Sequence, residues 1–526
     1  MNSRIVDAHR LMVSGKLKCT DLSEMCLQRI RDTIKLNCYI TVNEQNALEA
    51  AKQCDNRYKN GKSLGVLDGI PVAIKDNFST ANIRTTCASR MLENYVPTFS
   101  ATVVDKLCEQ NGAIMLGKTN MDEFAMGVSN IDSFFGPCKN PWSPSFRFKV
   151  VRKDGHPYEV KSTGEEQKKK DKNEDDWLIS GGSSGGSAVA VASGSCFAAL
   201  GSDTGGSTRN PSSHVGVVGF KPSYGLLSRY GLIPLTHSMD TPSIIAKSVE
   251  DISVVFHSIR GHDLRDSTSL REEIKVPTKE CRLENIKIGI PQEYESNAMA
   301  DEIKLAWNQI ADLLANKGAK VNQVSLPHTQ YSSSCYMVIN CTEVASNLAC
   351  YDGIEYGYRA EAVPDDSFED LITRSRHQGF GNLVKSRILS GNFFLLQENY
   401  ERFFLKALKI RRLVCEDFDF VFKGEDRVDF LLTPVTLHPA YRISEWNNRN
   451  AIDDSEDEDF CTQPSNLAGL PAITLPCKIT KDGRPIGLQL IGPKYSDYFL
   501  LSLANILEKL VEFPSLVYNG SENKLS

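Results

Sequence analysis

No window of this chain approaches eighteen consecutive apolar residues, so a membrane-spanning helix is not expected. The opening stretch MNSRIVDAHRLMVSGKLKCTD lacks the apolar core of a secretory signal. It reads chiefly as an ordinary first helix and, being basic and poor in acids, is also compatible with organelle import. Cys-x-x-Cys pairs are missing. The fifteen cysteines, an odd number scattered from Cys19 to Cys477, suggest neither a disulfide framework nor a zinc site and fit a reducing compartment. The nine histidines include no H-E-x-x-H or other paired spacing, so a metalloenzyme is not expected. A large excess of charge is lacking too, and a net charge of −6 gives no ground for a general nucleic-acid-binding surface.

What is present is an ordinary globular composition over 526 residues, enough for a large core. DLSEMCLQRIRDTIK and NEQNALEAAKQCDNRYKNG carry helical spacing near the start. Short apolar runs then read as strands: GIPVAIKDN, AIMLGKTN, CFAALGSD, VVGFKPS, NIKIGIP, DFLLTPVT, PAITLPC and RPIGLQLIG. ATVVDKLCEQNG, ADEIKLAWNQIADLLANKGAK and DYFLLSLANILEKLVE lie among them as helices. Strands interleaved with helices predict an α/β fold with a large mixed sheet covered by helices. Residues 143–177, rich in Lys, Glu and Asp, break that rhythm and read as a charged surface insertion. The expectation is one domain over 1–526, with a helical part at 1–64, a core at 65–250 and a part at 251–526 that completes the sheet.

Residues 181–187 read GGSSGGS, and a tract of this kind is usually a linker. Here it runs straight into the apolar AVAVASGS, so it opens a helix instead of joining polar ends. A glycine-rich loop at a helix start presents N–H groups and a positive dipole end to an anion. GGSSG also satisfies the G-x-S-x-G nucleophile elbow, with His214 as the nearest candidate partner, although a lone histidine is more often structural. A P-loop would need Gly-Lys-Ser/Thr where Ser187-Ala188 stands. A second tract, DTGGS, places Ser207 after two glycines, 24 residues beyond Ser183. The amides of Thr204, Gly205, Gly206 and Ser207 are candidates for an oxyanion hole. The candidate base is Lys75 of GIPVAIKDN. A lysine there usually snorkels to solvent, but buried behind Val72, Ala73 and Ile74 it would lose its proton easily and serve as a base.

Lys75, Ser183 and Ser207 together resemble the Ser-cisSer-Lys triad of the amidase signature family, a serine–lysine version of triad logic. The likeness covers nearly the whole chain. LDGIPVAIKDNF, GKTNMDEFAMG, GSDTGGSTRNP and GFKPSYGLLSRYGLIP carry a narrower likeness to the glutaminase subunits of tRNA-dependent amidotransferases. The resemblance implies Ser207 as nucleophile, Ser183 after a cis peptide as proton relay, and Lys75 as general base and acid. It also implies Asp203 and Arg209 as a bracing ion pair, Arg387 for a substrate carboxylate, Asp459 for a substrate ammonium, and Tyr336 as a substrate contact. Read alone, Asp203–Arg209 is equally an ordinary surface pair, Arg387 a helix surface charge, Asp459 the end of the solvated run DDSEDED, and Tyr336 packing.

Further expectations follow from the resemblance. Glutamine would be hydrolysed and its ammonia used to convert Glu-tRNA(Gln) to Gln-tRNA(Gln), together with amidotransferase subunits B and C. ATP and Mg would be used by the complex, and this chain would hold no cofactor or metal. Lys75 and Ser183 stand 108 residues apart, an interval lengthened by the 143–177 insertion. That length and STRNP resemble the mitochondrial form and imply the mitochondrial matrix. Two alternatives remain: a hydrolase of fatty-acid amides or other carboxamides, and a scaffold protein without catalysis. The Arg387–Asp459 pair speaks against the first, and the complete Lys75–Ser183–Ser207 set against the second.

Overall fold

Apolar runs of four to eight residues become the strands of a computed structural model, which describes residues 4–153, 156–158, 176–274, 276, 281–449 and 458–519. Among these the strands are β1 (Tyr39–Val42), β2 (Pro71–Lys75), β3 (Ile114–Thr119), β4 (Phe148–Val151), β5 (Ala198–Asp203), β6 (Val218–Lys221) and β7 (Thr241–Ala246). They continue with β8 (Lys287–Pro291), β9 (Lys320–Val324), β10 (Phe430–Pro434), β11 (Ala472–Ile479), β12 (Pro485–Ile491) and β13 (Ser515–Tyr518). Eleven of them form one sheet in the order β1-β3-β2-β5-β7-β6-β11-β12-β10-β8-β9. The pairs β2–β3, β2–β5, β8–β10 and β8–β9 are parallel and the others antiparallel, so the sheet is mixed, as expected from the sequence.

Central strands β2, β3, β5, β6, β7, β10 and β12 are buried along their whole length, because helices cover both faces. Ile5, Ala8 and Met12 of helix α1 (Ile5–Val13) point inward at helical spacing, and the Ile5 N–H donates to Asp251 Oδ1 at 2.8 Å. Helices α2 (Cys19–Asp32) and α3 (Glu44–Lys59) follow, where helical spacing is read in the sequence. One apolar core runs from Ile5 to Leu507. No helix of the described residues is long and apolar enough to cross a membrane.

Besides β1 and β7, which the sequence reading passes over, three features depart from it. ATVVDKLCEQNG starts as a helix at Thr102–Val104 but widens to π geometry over Asp105–Gln110. The edge strand β9 is largely solvent-facing, so it lacks the alternation that would betray it. The insertion opens with a strand: β4 pairs antiparallel with β13 near the end of the described chain, Phe148 opposite Tyr518. Residues 154, 155 and 159–175 of the insertion lie outside the described residues, as do residues 450–457 with most of the acidic run before Asp459.

Candidate active site

The parallel neighbours β2 and β5 set the site. Val72 to Ile74 pair with Ala198 to Leu200, so both strands end at the same edge of the sheet. Lys75 closes β2, and the DTGGS turn follows β5. The carboxyl edge of parallel strands is where α/β sheets hold ligands.

The Gly-Ser tract is a loop that opens helix α4 (Gly185–Ser193), as its apolar continuation predicts. The Gly182–Ser183 peptide is cis. Glycine is required at 182 because a Cβ there would stand 2.0 Å from Asp122 Oδ2. Asp122 in turn accepts the N–H groups of Asn130 and Asp132, at 3.0 and 3.2 Å. Its carboxyl is pushed well up by burial, with the charge of Asp132 adding to the effect.

Lys75 is fully buried and does not snorkel. Its Nζ donates to Ser183 Oγ at 2.8 Å. Burial brings its amine down to about 7, against the pull of Asp122, Asp203 and Asp240. Ser207 begins no strand or helix of its own; its carbonyl accepts the Ser184 N–H at 3.0 Å, tying the two serine loops together. The Ser183 and Ser207 side chains make no hydrogen bond to each other.

The turn at 204–207 is gripped from three sides. Thr204 Oγ1 donates to Asp240 Oδ1 at 2.7 Å, and Thr462 Oγ1 donates to the Gly205 carbonyl at 2.6 Å. A Cβ on Gly205 would meet Tyr336 Oη at 2.8 Å, and one on Gly206, whose φ is +146°, would meet Thr462 Oγ1 and Asp459 Oδ1. The amides of Gly205, Gly206 and Ser207 find no acceptor among the described residues. Behind the turn, Arg209 grips Asp203 with two bonds, Nε to Oδ2 at 3.0 Å and Nη2 to Oδ1 at 2.9 Å. Its remaining donors reach the Thr462 carbonyl, Ser465 Oγ, Gln489 Oε1 and Asn466 Oδ1. Burial would raise the Asp203 carboxyl, but the Arg209 charge outweighs it and holds the group at about 2. This pair is wholly buried, which overturns the surface-pair alternative.

Tyr336 lies on helix α5 (Ser332–Asn347) and Arg387 on helix α6 (Asn382–Leu395). Both are buried, as is Asp459, so neither Arg387 nor Asp459 is a solvated surface charge. Arg387 Nη1 donates to Asn340 Oδ1 at 2.7 Å, and its charge acts on both Tyr336 and Asp459. Asp459 Oδ1 has no protein partner among the described residues. Burial, then the charges of Asp203 and Glu458, push the Asp459 carboxyl far up, with Arg209 and Arg387 opposing.

His214 does not serve the Gly-Ser loop as an elbow partner, since its Nε2 meets Glu458 Oε2 at 2.8 Å. Sequence reading passes over Ser184, Ser202 and Asn77, which surround Lys75 and its partners, and Asn340, which orients Arg387. Ser184 and Ser202 sit inside the two motifs but are indistinguishable there from spacer serines. Asn340 carries no sequence signal.

The mixed sheet and the lysine–serine cluster at its edge define an amidase-type α/β protein. The chain belongs to the Amidase family, whose model matches residues 21–148 and 173–501 and passes over most of the charged insertion. It is 50% identical over 502 residues to the mitochondrial A subunit of glutamyl-tRNA(Gln) amidotransferase from Bos taurus, covering 95% of this chain and 92% of the relative. The protein of the same name from Ixodes scapularis is 49% identical, with 95% and 94% covered. Among solved structures, the A subunit of glutamyl-tRNA(Gln) amidotransferase from Thermotoga maritima superimposes with a TM-score of 0.72 at 33% identity, covering 97% of this chain and 94% of its own. The peptide amidase of Stenotrophomonas maltophilia superimposes at 0.75 with 26% identity, covering 98% of both chains.

Proposed function

We propose that this chain is the glutamine-hydrolysing component of a mitochondrial glutamyl-tRNA(Gln) amidotransferase. The observation that carries this reading is the opposed pair Arg387 and Asp459, buried together around the turn that holds Ser207. Free glutamine brings one carboxylate and one ammonium to be matched, which a lipid amide does not. Arg387 offers a planar fork to the carboxylate. Asp459, short of a partner, regains its charge when an ammonium faces it. Tyr336 walls the site beside Gly205.

The reaction then uses groups already in place. Ser207 Oγ attacks the side-chain amide carbon as its proton passes to Ser183 Oγ, and the proton of Ser183 passes to Lys75 Nζ. Amides of residues 204–207 receive the oxyanion, a donor set of the kind worth about 3–4 kcal/mol per group removed. Lys75 returns the proton through Ser183 to the leaving nitrogen, and ammonia departs. Water repeats the sequence on the acyl-enzyme and releases glutamate. Contact between Ser183 and Ser207 tightens as substrate seats, as catalytic hydrogen bonds commonly do. The ammonia serves the B component, where ATP and Mg activate Glu-tRNA(Gln), and the C component completes the heterotrimer. The high identity to proteins named mitochondrial across animals supports the matrix as location.

The test is release of ammonia and glutamate from glutamine by the purified chain, with and without the B and C components. Ser207→Ala is expected to lower the rate by about 10⁴-fold or more, the scale of losing a catalytic nucleophile. Hydrolysis of peptide or fatty amides with no action on glutamine would overturn the assignment.

A further inference from the structure

Lys75 has more hydroxyl partners than a two-serine relay needs. Besides Ser183, its Nζ lies 2.8 Å from Ser184 Oγ and 2.9 Å from Ser202 Oγ. Ser184 spends its own proton on the Ser202 carbonyl at 3.1 Å, so towards the amine it is an acceptor. Ser202 Oγ is fixed from the other side by Asn77 Nδ2 at 2.9 Å. All of these groups are buried. A neutral amine carries two N–H bonds and one lone pair, and an ammonium carries three N–H bonds. The three hydroxyl oxygens, all within 2.9 Å, therefore match the ammonium donor for donor, with the Ser202 carbonyl a longer contact of Nζ at 3.4 Å. In the neutral state, with N–H bonds given to Ser184 and Ser202, the lone pair is left facing the Ser183 hydroxyl.

We propose that Ser202, braced by Asn77, is a positioning residue that aims the Lys75 lone pair at Ser183 and accepts a hydrogen bond from the ammonium once the nucleophile's proton has arrived. The idea rests on the Lys75–Ser183–Ser207 relay above. Ser202 itself neither gains nor loses a proton: the proton leaving Ser207 displaces that of Ser183 onto Lys75 and returns by the same route to the leaving nitrogen. The other groups acting on Lys75 are the carboxyls of Asp122, Asp203 and Asp240 and the thiol of Cys87. Lys118 pairs with Asp76 and donates to Phe78 and Thr85, away from this cluster. None of these is altered by a change at Ser202.

The experiment is a pH profile of Ser202→Ala, read in two ways: kcat and KM for glutamine, and the rate at which phenylmethanesulfonyl fluoride labels Ser207. Losing an acceptor makes the ammonium harder to keep, so the amine is freed at lower pH. The acid limb of both profiles is expected to move down by about one pH unit, with kcat reduced about 10- to 100-fold and KM unchanged, the scale of one hydrogen bond to a charged group. Ser202→Thr, which keeps the hydroxyl, should restore the limb, and Asn77→Ala should move it the same way by less. A limb that stays put in a normally melting Ser202→Ala, or a rise in KM with kcat intact, would overturn the proposal. If Ser202→Ala does not fold, Asn77→Ala decides on the same criterion. A wild-type chain that is labelled at Ser207 but releases no ammonia from glutamine would refute the substrate assignment, and a moving limb in that labelling would still uphold Ser202.

Discussion

Val72, Ala73 and Ile74 lead an apolar strand into the interior, and Lys75 goes with them because the strand has no exposed end at which a side chain could turn out to water. That burial is what fits the amine for the proposed role of base. Its neutral form grows as pH rises through about 7, so the hydrolysis rate should climb across that range. Lys75→Met should cost about 10²- to 10⁴-fold in kcat, the usual contribution of a general base, while melting is preserved because an apolar chain suits the same cavity. Both outcomes are read from a pH–rate profile and a thermal melt. At this scale the sequence was most informative where chemistry demands rare residue patterns: Lys75, Ser183 and Ser207 stand out through glycine doublets and a lysine closing an apolar run. Ser202 and Asn77 were not legible, because serine and asparagine are common and only their convergence on one small cluster gives them meaning.

Helices α5 and α6 act as a unit. Tyr336 and Asn340 are four residues apart on α5 and so share a face. Tyr336 packs on the Gly205 turn, while Asn340 donates to Thr236 Oγ1 at 2.8 Å and accepts from Arg387 of α6. Asn340→Leu should therefore loosen the guanidinium without touching the serines. KM for glutamine is expected to rise about 10- to 100-fold with kcat changed little, the cost of one bond to a charged group, measurable by initial-rate kinetics. Most central strands are readable because both faces are buried and the runs are continuously apolar, but β7 is passed over because Thr241, Pro242 and Ser243 interrupt its apolar run. β9 escaped because its edge is wet, and β4 because a short strand inside a charged insertion is masked by its neighbours.

Across the whole molecule, Arg209 joins the turn after β5 to segments more than 250 residues away, through Thr462, Ser465, Asn466 and Gln489. Arg209→Met would leave the Asp203 carboxylate buried without its cation, and breaking such a pair costs about 3–5 kcal/mol. A fall of that size in unfolding free energy, obtained by extrapolating a urea titration, is the expected result. Because Arg209 depresses the Asp203 carboxyl to about 2, the pair's contribution is complete above the ordinary carboxylate range and is lost as pH falls through about 2. The mixed sheet could be anticipated from the alternation of elements, but its strand order could not, since β6 meets β11 and β8 meets β10 across long stretches of chain.

The same clamp sets a clock on biosynthesis. The lysine and both serines leave the ribosome well before residues 462–489, which hold Arg209 and the Gly205 carbonyl in place. A nascent or prematurely terminated chain thus possesses every group of the proposed proton relay, yet lacks the parts that hold the turn in shape. On the proposed mechanism, competence arrives only once residues 462–489 have been made, late in translation.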